Sequence, residues 1–214
     1  MEKDIQTLVN AGKYMLANRL AWGTSGNISL RLDEKNMLIT ASGTFMGELS
    51  KDDFVVFNIE TGTYEGLRKA SKETPIHSGI YKNRPDIHAV VHSSPFHTTL
   101  MACSNEPILS DLFIETMYYL ENIEYVDYLH PGSIELGQEI AKSCVTANII
   151  IMRNHGVTVI DDSMNEAIMR LETLENACKM IITSKAAGIK LTEIPKMVVR
   201  EFLEESKYKP RKKL

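Results

Sequence analysis

Short apolar segments that alternate with amphipathic segments constrain the fold of this chain most. Strand-like segments cover residues 28–32, 37–40, 54–59, 87–91, 148–152 and 157–160. The spacing of apolar residues predicts helices over 3–20, 74–83, 96–103, 134–144 and 163–187. A polar turn between the first two strands predicts a hairpin. Strands mixed with helices along one chain indicate helical layers around a central sheet, in an α/β or α+β arrangement.

Composition limits the domain count and the classes of partner. The chain has 214 residues, of which 43% are hydrophobic, which is enough for one full core, so we expect a single domain over 1–214. The formal net charge of −4 argues against a nucleic acid or an anionic membrane as partner, because both are bound by positive surfaces. The basic run near the C-terminus predicts a flexible, solvated tail over 207–214.

Cysteine usage and apolar run length indicate the compartment. The three cysteines are far apart and form no Cys-x-x-Cys pair, so the sequence predicts neither a disulfide framework nor a thiolate metal site. The longest apolar runs are too short to cross a bilayer, and no signal core follows the N-terminus. These features predict a cytoplasmic protein that does not enter a membrane.

Turns rich in glycine and hydroxyl groups are candidate anion sites. They are Gly23–Asn27, Thr40–Thr44 and the isolated Ser71. Glycine lets the backbone approach a phosphate closely, and hydroxyl and N–H groups bind its oxygens. Each turn taken alone is equally consistent with an ordinary loop at a strand end.

Two histidines at strand ends are candidate metal ligands. His92 follows a buried strand, and His155 precedes a glycine turn after another strand. Imidazoles and carboxylates from separate elements are what a catalytic divalent-metal site requires. A histidine at a strand end is also often a hydrogen-bonded surface residue. Two such histidines favour a metal site without establishing that they meet.

Glu73 is the candidate acid/base. It lies at a predicted helix start, four residues before His77, so the two share a helical face. A carboxylate in a first helical turn is also explained by the helix dipole alone.

Five segments, in order, resemble the class II aldolase/adducin family. They are Gly23–Ser29, Ile39–Gly43, Ser71–His77, Arg84–His92 and Asn154–Val157. The resemblance implies a three-layer α/β/α sandwich with a mainly antiparallel central sheet, and a homotetramer with active sites at subunit interfaces. It also implies a small phosphorylated sugar as substrate and a divalent metal ion, with zinc expected and manganese or cobalt as alternatives.

The resemblance assigns roles residue by residue. Glu73 is the acid/base, and His92 and His155 are metal ligands. The residues that contact the substrate phosphate are Thr24, Gly26, Asn27, Ser42, Gly43 and Ser71.

The reaction implied is cleavage of a phosphorylated ketose similar to L-fuculose 1-phosphate. The products are dihydroxyacetone phosphate and an aldehyde, and a metal-stabilised enediolate is the intermediate. Decarboxylation of a 3-oxo-tetronate 4-phosphate and sugar-phosphate epimerisation are alternatives within the family. A non-catalytic binding protein similar to adducin is a further alternative.

The sequence departs from the family pattern at several positions. Ser94 stands where the aldolases carry the second histidine of a His-x-His pair, so we predict that His97 supplies the third ligand, with Glu73 or water as the alternative. Lys72 resembles the decarboxylases and is predicted to bind a substrate carboxylate, although a solvated lysine at a helix start is also consistent. Tyr118 and Tyr119 are the nearest candidates for the proton-donor tyrosine of the aldolases.

Overall fold

The chain forms eight strands and seven helices, besides two short 3-10 turns, within the residues that the structure describes. A computed structural model describes residues 1–205 and 208–209. The strands are β1 (Asn27–Arg31), β2 (Asn36–Thr40), β3 (Phe54–Asn58), β4 (Tyr64–Glu65), β5 (Ala89–Ser93), β6 (Ile123–Val126), β7 (Ile149–Met152) and β8 (Gly156–Asp161). The helices are α1 (Glu2–Ala17), α2 (Thr74–Asn83), α3 (Phe96–Ala102), α4 (Ile114–Tyr119), α5 (Ile134–Ser143), α6 (Met164–Ala187) and α7 (Lys196–Glu205).

All of these strands belong to one mainly antiparallel sheet. Their order is β4-β3-β2-β1-β5-β8-β7-β6, and among the described strands only β6 and β7 pair in parallel. Because β5 runs antiparallel to both β1 and β8, its carboxyl end lies beside the start of each. Asn27 pairs with His92, and Ser93 pairs with Val157. Residues from three separate parts of the chain therefore lie close together at this end of the central strands.

Helices cover both faces of the sheet. Helices α1, α3, α4 and α6 pack over one face, in a core that includes Leu8 and Leu171. Helices α2 and α5 pack over the other face, in a core that includes Ile76 and Ile140. The predicted three-layer α/β/α sandwich is confirmed.

Alternation along the strands decides which helical layer each polar side chain meets. Val90 of β5 packs beneath α2 and α5, so His92, two residues further on, points toward the same layer. Ile28 of β1 packs in the opposite core, so its neighbours Asn27 and Ser29 also point toward α2. Polar groups of β1 and β5 thus converge beneath the start of α2.

Most predicted elements are confirmed to within single residues at their ends, but two boundaries were wrong. The first helix, predicted to residue 20, ends at Ala17 because Arg19 adopts a left-handed conformation with φ of 58°. The strand predicted over 87–91 lies at Ala89–Ser93, because the Ile87 N–H donates to the carbonyl of Arg84 in a turn.

Several elements were not predicted. They are β4, α4, β6 and α7. The tail predicted over 207–214 lies outside the described residues, except for Tyr208 and Lys209. Among the helices that the structure describes, none is both long and apolar enough to cross a membrane.

Candidate active site

Three side chains from separate elements converge where β5 ends beside the starts of β1 and β8. Glu73 is the residue immediately before α2, His92 lies in β5, and His155 lies in the turn between β7 and β8. The Oε2 atom of Glu73 lies 3.1 Å from Nε2 of His92, and its Oε1 atom lies 3.3 Å from Nε2 of His155. The structure thus brings together the predicted acid/base and two predicted metal ligands.

The backbone around His155 explains how this imidazole reaches the site. Asn154 adopts a left-handed conformation with φ of 55°, which turns the chain sharply after β7. Gly156 follows, and a Cβ atom at this position would lie 2.5 Å from the carbonyl oxygen of Ser93. Only glycine therefore permits β8 to start this close to the end of β5. The left-handed turn at residue 154 and the glycine at 156 together place His155 beside Glu73.

The left-handed turn at Asn154 gives a testable expectation. Asn154 is exposed, so its side chain contributes little packing, and Asn154→Gly should leave stability nearly unchanged. Asn154→Val should destabilise the fold by about 1–2 kcal/mol or more, because a β-branched residue strongly disfavours this conformation. Urea unfolding of both variants measures the difference. Equal stability of the two variants would contradict the strain argument.

The donor atoms of the three residues fit a divalent cation. Nδ1 of His92 donates to the carbonyl of Val157 at 3.0 Å, so in a neutral ring Nε2 carries the lone pair that faces the Glu73 carboxylate. Within the described residues, Glu73 Oε1 is buried without a hydrogen-bond partner, and so is Nδ1 of His155. The two imidazole nitrogens and the carboxylate oxygen lie within 4.8 Å of one another, and this set of donors is one that binds a divalent cation.

Burial and mutual contact set the charge states of the group. Burial lowers the pKa of His92, so its ring is neutral near neutral pH and able to bind a metal. Burial raises the pKa of Glu73, but contact with the two imidazoles and a hydrogen bond from Asn27 outweigh this effect and lower it to about 2. Glu73 is therefore a carboxylate, the form that removes a proton from a substrate carbon.

The hydroxyl-rich turns lie next to this group. Ala41 bridges to Ala70, and the Ser42 N–H donates to the carbonyl of Lys69 at 2.9 Å, which places the second turn beside Ser71. The Ser71 hydroxyl accepts from the N–H of Glu73 at 3.2 Å. The predicted phosphate pocket and the acid/base are thus adjacent along the chain.

The other predicted substrate contacts differ in exposure. Thr24, Gly43 and Lys72 are exposed, whereas Asn27 is buried. Gly26 has φ of 94°, and a Cβ atom there would lie 2.7 Å from the carbonyl oxygen of His92, so glycine is required at this approach. The Asn27 side-chain amide is hydrogen-bonded to the Glu73 carboxylate and to the His77 ring, so it contacts the acid/base directly. The phosphate contacts themselves stay a prediction.

His97 has a different partner in the structure. Its Nδ1 atom lies 2.7 Å from Oε1 of Glu175 on α6, and the same carboxylate accepts from the N–H of Thr98. Among the described residues, the group close enough to share a metal comprises Glu73, His92 and His155. The Ser94 hydroxyl donates to the carbonyl of His155 at 3.2 Å. The ligand role of His97 stays a prediction that this geometry does not favour.

The two tyrosines proposed as proton donors lie in the core beside α6. Tyr119 is fully buried, and its hydroxyl donates to Glu166 at 2.9 Å. The Tyr118 ring packs edge-on against the Tyr119 ring, with 5.0 Å between their centroids. Both tyrosines belong to the core on the α6 face of the sheet, whereas Glu73 precedes α2, which packs on the opposite face.

Sequence comparison identifies related proteins. A family model described as Class II Aldolase and Adducin N-terminal domain matches residues 6–182, which include all three residues of the group. The 3-oxo-tetronate 4-phosphate decarboxylase of Haemophilus influenzae is 29% identical over 190 residues, covering 86% of this chain and 90% of that protein. The L-fuculose phosphate aldolase of Methanocaldococcus jannaschii is 31% identical over 160 residues, covering 75% and 85%.

Solved structures have the same fold. An L-fuculose 1-phosphate aldolase aligns with a TM-score of 0.82 at 26% identity, covering 94% of each chain. YgbL from Klebsiella pneumoniae aligns with a TM-score of 0.83, also at 26% identity, covering 94% of this chain and 97% of its own. The structural similarity thus extends over nearly the whole chain.

Proposed function

Because the chain belongs to the class II aldolase and adducin family, we propose that it is a metal-dependent lyase that breaks a carbon–carbon bond in a small phosphorylated substrate. The observation that carries this proposal is the convergence of Glu73, His92 and His155 with their donor atoms turned toward one another. A non-catalytic binding protein has no need for a buried carboxylate and two imidazoles in this arrangement.

The two reactions named for the relatives share one intermediate. An aldolase that acts on L-fuculose 1-phosphate breaks the C3–C4 bond and leaves the electron pair on C3, beside the C2 carbonyl. A decarboxylase that acts on 3-oxo-tetronate 4-phosphate releases the carboxylate as carbon dioxide and leaves the electron pair on C2, beside the C3 carbonyl. Both fragments are the enediolate of dihydroxyacetone phosphate. A site that stabilises this enediolate serves either reaction.

The residues of the group divide this chemistry between them. We propose that His92 and His155 hold the metal, and that Glu73 completes the set of donors before substrate binds. A divalent metal, when bound, supplies an electron sink for the negative charge that develops on the substrate oxygens. In the direction of product release, Glu73 first takes up a proton from solvent and then delivers it to the substrate carbon; in the reverse direction its carboxylate removes that proton. The turns at Ser42 and Ser71 hold the phosphate, which fixes the carbon within reach of Glu73.

Aldol cleavage is the leading reaction, and two observations favour decarboxylation as the second candidate. Aldol cleavage requires removal of a proton from the C4 hydroxyl, whereas decarboxylation involves no such proton. Tyr118 and Tyr119, the candidates for this additional role, lie in the core beside α6. Lys72, exposed beside Glu73, is a candidate partner for a substrate carboxylate in the decarboxylation.

A substrate panel tests the proposal. Metal-loaded protein is incubated separately with L-fuculose 1-phosphate and with 3-oxo-tetronate 4-phosphate, and dihydroxyacetone phosphate is measured by coupled reduction with NADH. We expect metal-dependent release from one of the two substrates, and the reactive substrate assigns the reaction. Absence of product from both substrates, with metal bound, would contradict the proposed lyase activity on these compounds.

The phosphate pocket gives a second testable expectation. Dihydroxyacetone phosphate at about 100 times its dissociation constant should raise the melting temperature by about 5 to 10 °C, because it binds only the folded state. Ser42→Ala should reduce this shift at a fixed ligand concentration, whereas Thr61→Ala, in the turn between β3 and β4, should not. A full shift in Ser42→Ala would move the phosphate site away from this turn.

Two further parts of the proposal rest on the family alone. They are the homotetramer with active sites between subunits and the choice of zinc over manganese or cobalt. The proposed cytoplasmic location rests on the three widely spaced cysteines and the short apolar runs of the sequence.

A further inference from the structure

A chain of buried polar side chains connects Glu73 to the interior of the layer between α2 and β1. Glu73, His77 and Tyr81 recur every four residues along α2 and so share one helical face. Asn27 and Ser29 lie two residues apart in β1 and point toward that face. The two rows interleave, so that Asn27, His77 and Ser29 each lie between two groups of the opposite row.

The distances between polar atoms define the order of the side chains in this hydrogen-bonded chain. The Asn27 Nδ2 atom donates to Oε2 of Glu73 at 2.7 Å, and Oδ1 of Asn27 lies 2.5 Å from Nε2 of His77. Nδ1 of His77 lies 2.7 Å from the Ser29 hydroxyl, which lies 2.9 Å from the hydroxyl of Tyr81. His77 and Ser29 are fully buried, and Tyr81 is almost so. Solvent therefore does not substitute for these hydrogen bonds.

The chemistry of each group fixes the direction of the hydrogen bonds. Oδ1 of Asn27 only accepts, so Nε2 of His77 must carry a hydrogen. Burial lowers the pKa of His77 to about 3, so the ring is neutral and Nδ1 is an acceptor. The Ser29 hydroxyl must then donate to His77, which leaves it as an acceptor for the Tyr81 hydroxyl at 2.9 Å; the Tyr81 hydroxyl also lies 3.4 Å from the carbonyl oxygen of His88. Every donor in the chain thus points toward Glu73.

We propose that His77 is a positioning residue that acts through Asn27, holding Oε2 of Glu73 and leaving Oε1 as the atom that exchanges the proton with substrate. This inference rests on the proposed lyase function. Without the His77 donor, the Asn27 amide is free to rotate by a half turn and present its oxygen to the carboxylate. Glu73 would then lose the hydrogen bond that fixes its orientation.

The surroundings argue against simple packing as the reason for these polar groups. Neighbouring positions in the same layer, Ile76, Ile80 and Val90, are apolar and fully buried. Apolar side chains would fill the space at His77 and Ser29 without the cost of removing polar groups from water. The chain ends at the carboxylate that the proposed reaction uses. The polar character of these side chains is therefore explained by their role in fixing the orientation of the Glu73 carboxylate.

The tautomer of His77 tests the direction of the chain without any assay of activity. In protein labelled with nitrogen-15 at histidine, nitrogen–proton correlation spectra report which ring nitrogen carries the hydrogen. We expect the His77 ring to be neutral with hydrogen on Nε2 from pH 5 to pH 9. Hydrogen on Nδ1, or a charged ring in this range, would overturn the proposal even if the protein proves to be a lyase. The measurement uses the unmutated protein, so it does not depend on a variant that folds.

Two matched variants test the positioning role. His77→Gln can place its amide nitrogen near the position of Nε2 and keep the donor to Asn27, whereas His77→Asn reaches only the position of Nδ1 and loses it. We expect kcat to fall by about 10- to 100-fold in His77→Asn with KM nearly unchanged, and to recover most of this loss in His77→Gln. Equal losses in both variants, in parallel with their melting temperatures, would show a structural role and overturn the proposal.

A smaller change provides a second variant if those do not fold. Tyr81→Phe removes the first donor of the chain and keeps the ring, so it should retain the Nε2 hydrogen of His77 and most of kcat. A loss of kcat of about 10-fold or more in Tyr81→Phe would contradict positioning through Asn27, because this variant leaves the His77 donor in place. If the unmutated protein does not release dihydroxyacetone phosphate but the His77 tautomer is as expected, the proposed lyase function is wrong and the proposed hydrogen-bond arrangement is still correct.

Discussion

Glu73→Gln should lower kcat by at least about 100-fold while the protein stays folded and binds metal, because a carboxamide cannot exchange the proton that the reaction requires. The glutamine keeps one oxygen for the hydrogen bond from Asn27, which holds Oε2 of Glu73 at 2.7 Å in the unmutated protein. The loss is therefore chemical and not a loss of position. Steady-state kinetics with the reactive substrate, alongside metal analysis, measures it.

A matched change elsewhere serves as the control for this variant. Glu172→Gln alters a carboxylate on α6 whose partner is the Tyr14 hydroxyl at 2.8 Å, and it should leave kcat nearly unchanged. If Glu73→Gln turns over at the rate of the control, the acid/base is another residue.

Loss of either histidine should have the second large effect, on metal affinity. We expect His92→Ala and His155→Ala each to weaken binding of the metal by about 100-fold or more, since each removes a nitrogen that faces the Glu73 carboxylate. His88→Ala is the control, because His88 is exposed and outside the group. Metal titration monitored by calorimetry gives the affinities. Unchanged affinity in both variants would place the metal elsewhere.

His97→Ala separates two assignments of the third ligand. The sequence predicts that His97 binds metal in place of the missing strand histidine, which would lower affinity about 10- to 100-fold in this variant. The observed contact of Nδ1 with Glu175 on α6 instead favours unchanged metal affinity and a loss of stability at the start of α3. The same titration, together with urea unfolding, distinguishes these outcomes.

Local patterns in the sequence were sufficient to place Glu73 and His92 on their elements. A proline after Glu73 starts α2, and the apolar run before His92 forms a strand, so both predicted positions follow from nearby residues. The family resemblance added the expectation that these elements meet with His155. The antiparallel pairing of β5 with β1 and β8 brings this about, and no local pattern determines that pairing.

Contacts between residues far apart in sequence explain what was not predicted. The partner of His97 is 78 residues away on α6, and the hydrogen bonds of His77 go to β1, 48 and 50 residues earlier. The spacing of Glu73 and His77 indicated that they share a helical face, but the Asn27 amide that joins them lies on another element. The signal available in the sequence was the pair of polar residues Asn27 and Ser29, which lie two apart in β1 and so point toward the same face of the sheet.

Exchange of solvent deuterium into dihydroxyacetone phosphate tests the central claim most directly, because both candidate reactions pass through its enediolate. Metal-loaded protein is incubated with this compound in deuterium oxide, and the hydroxymethyl hydrogens are followed by proton NMR. We predict metal-dependent exchange of one hydrogen at the carbon next to the carbonyl, and its loss in Glu73→Gln. No exchange above the buffer rate, with metal and dihydroxyacetone phosphate both bound, would contradict a site built around Glu73, His92 and His155 to form this enediolate.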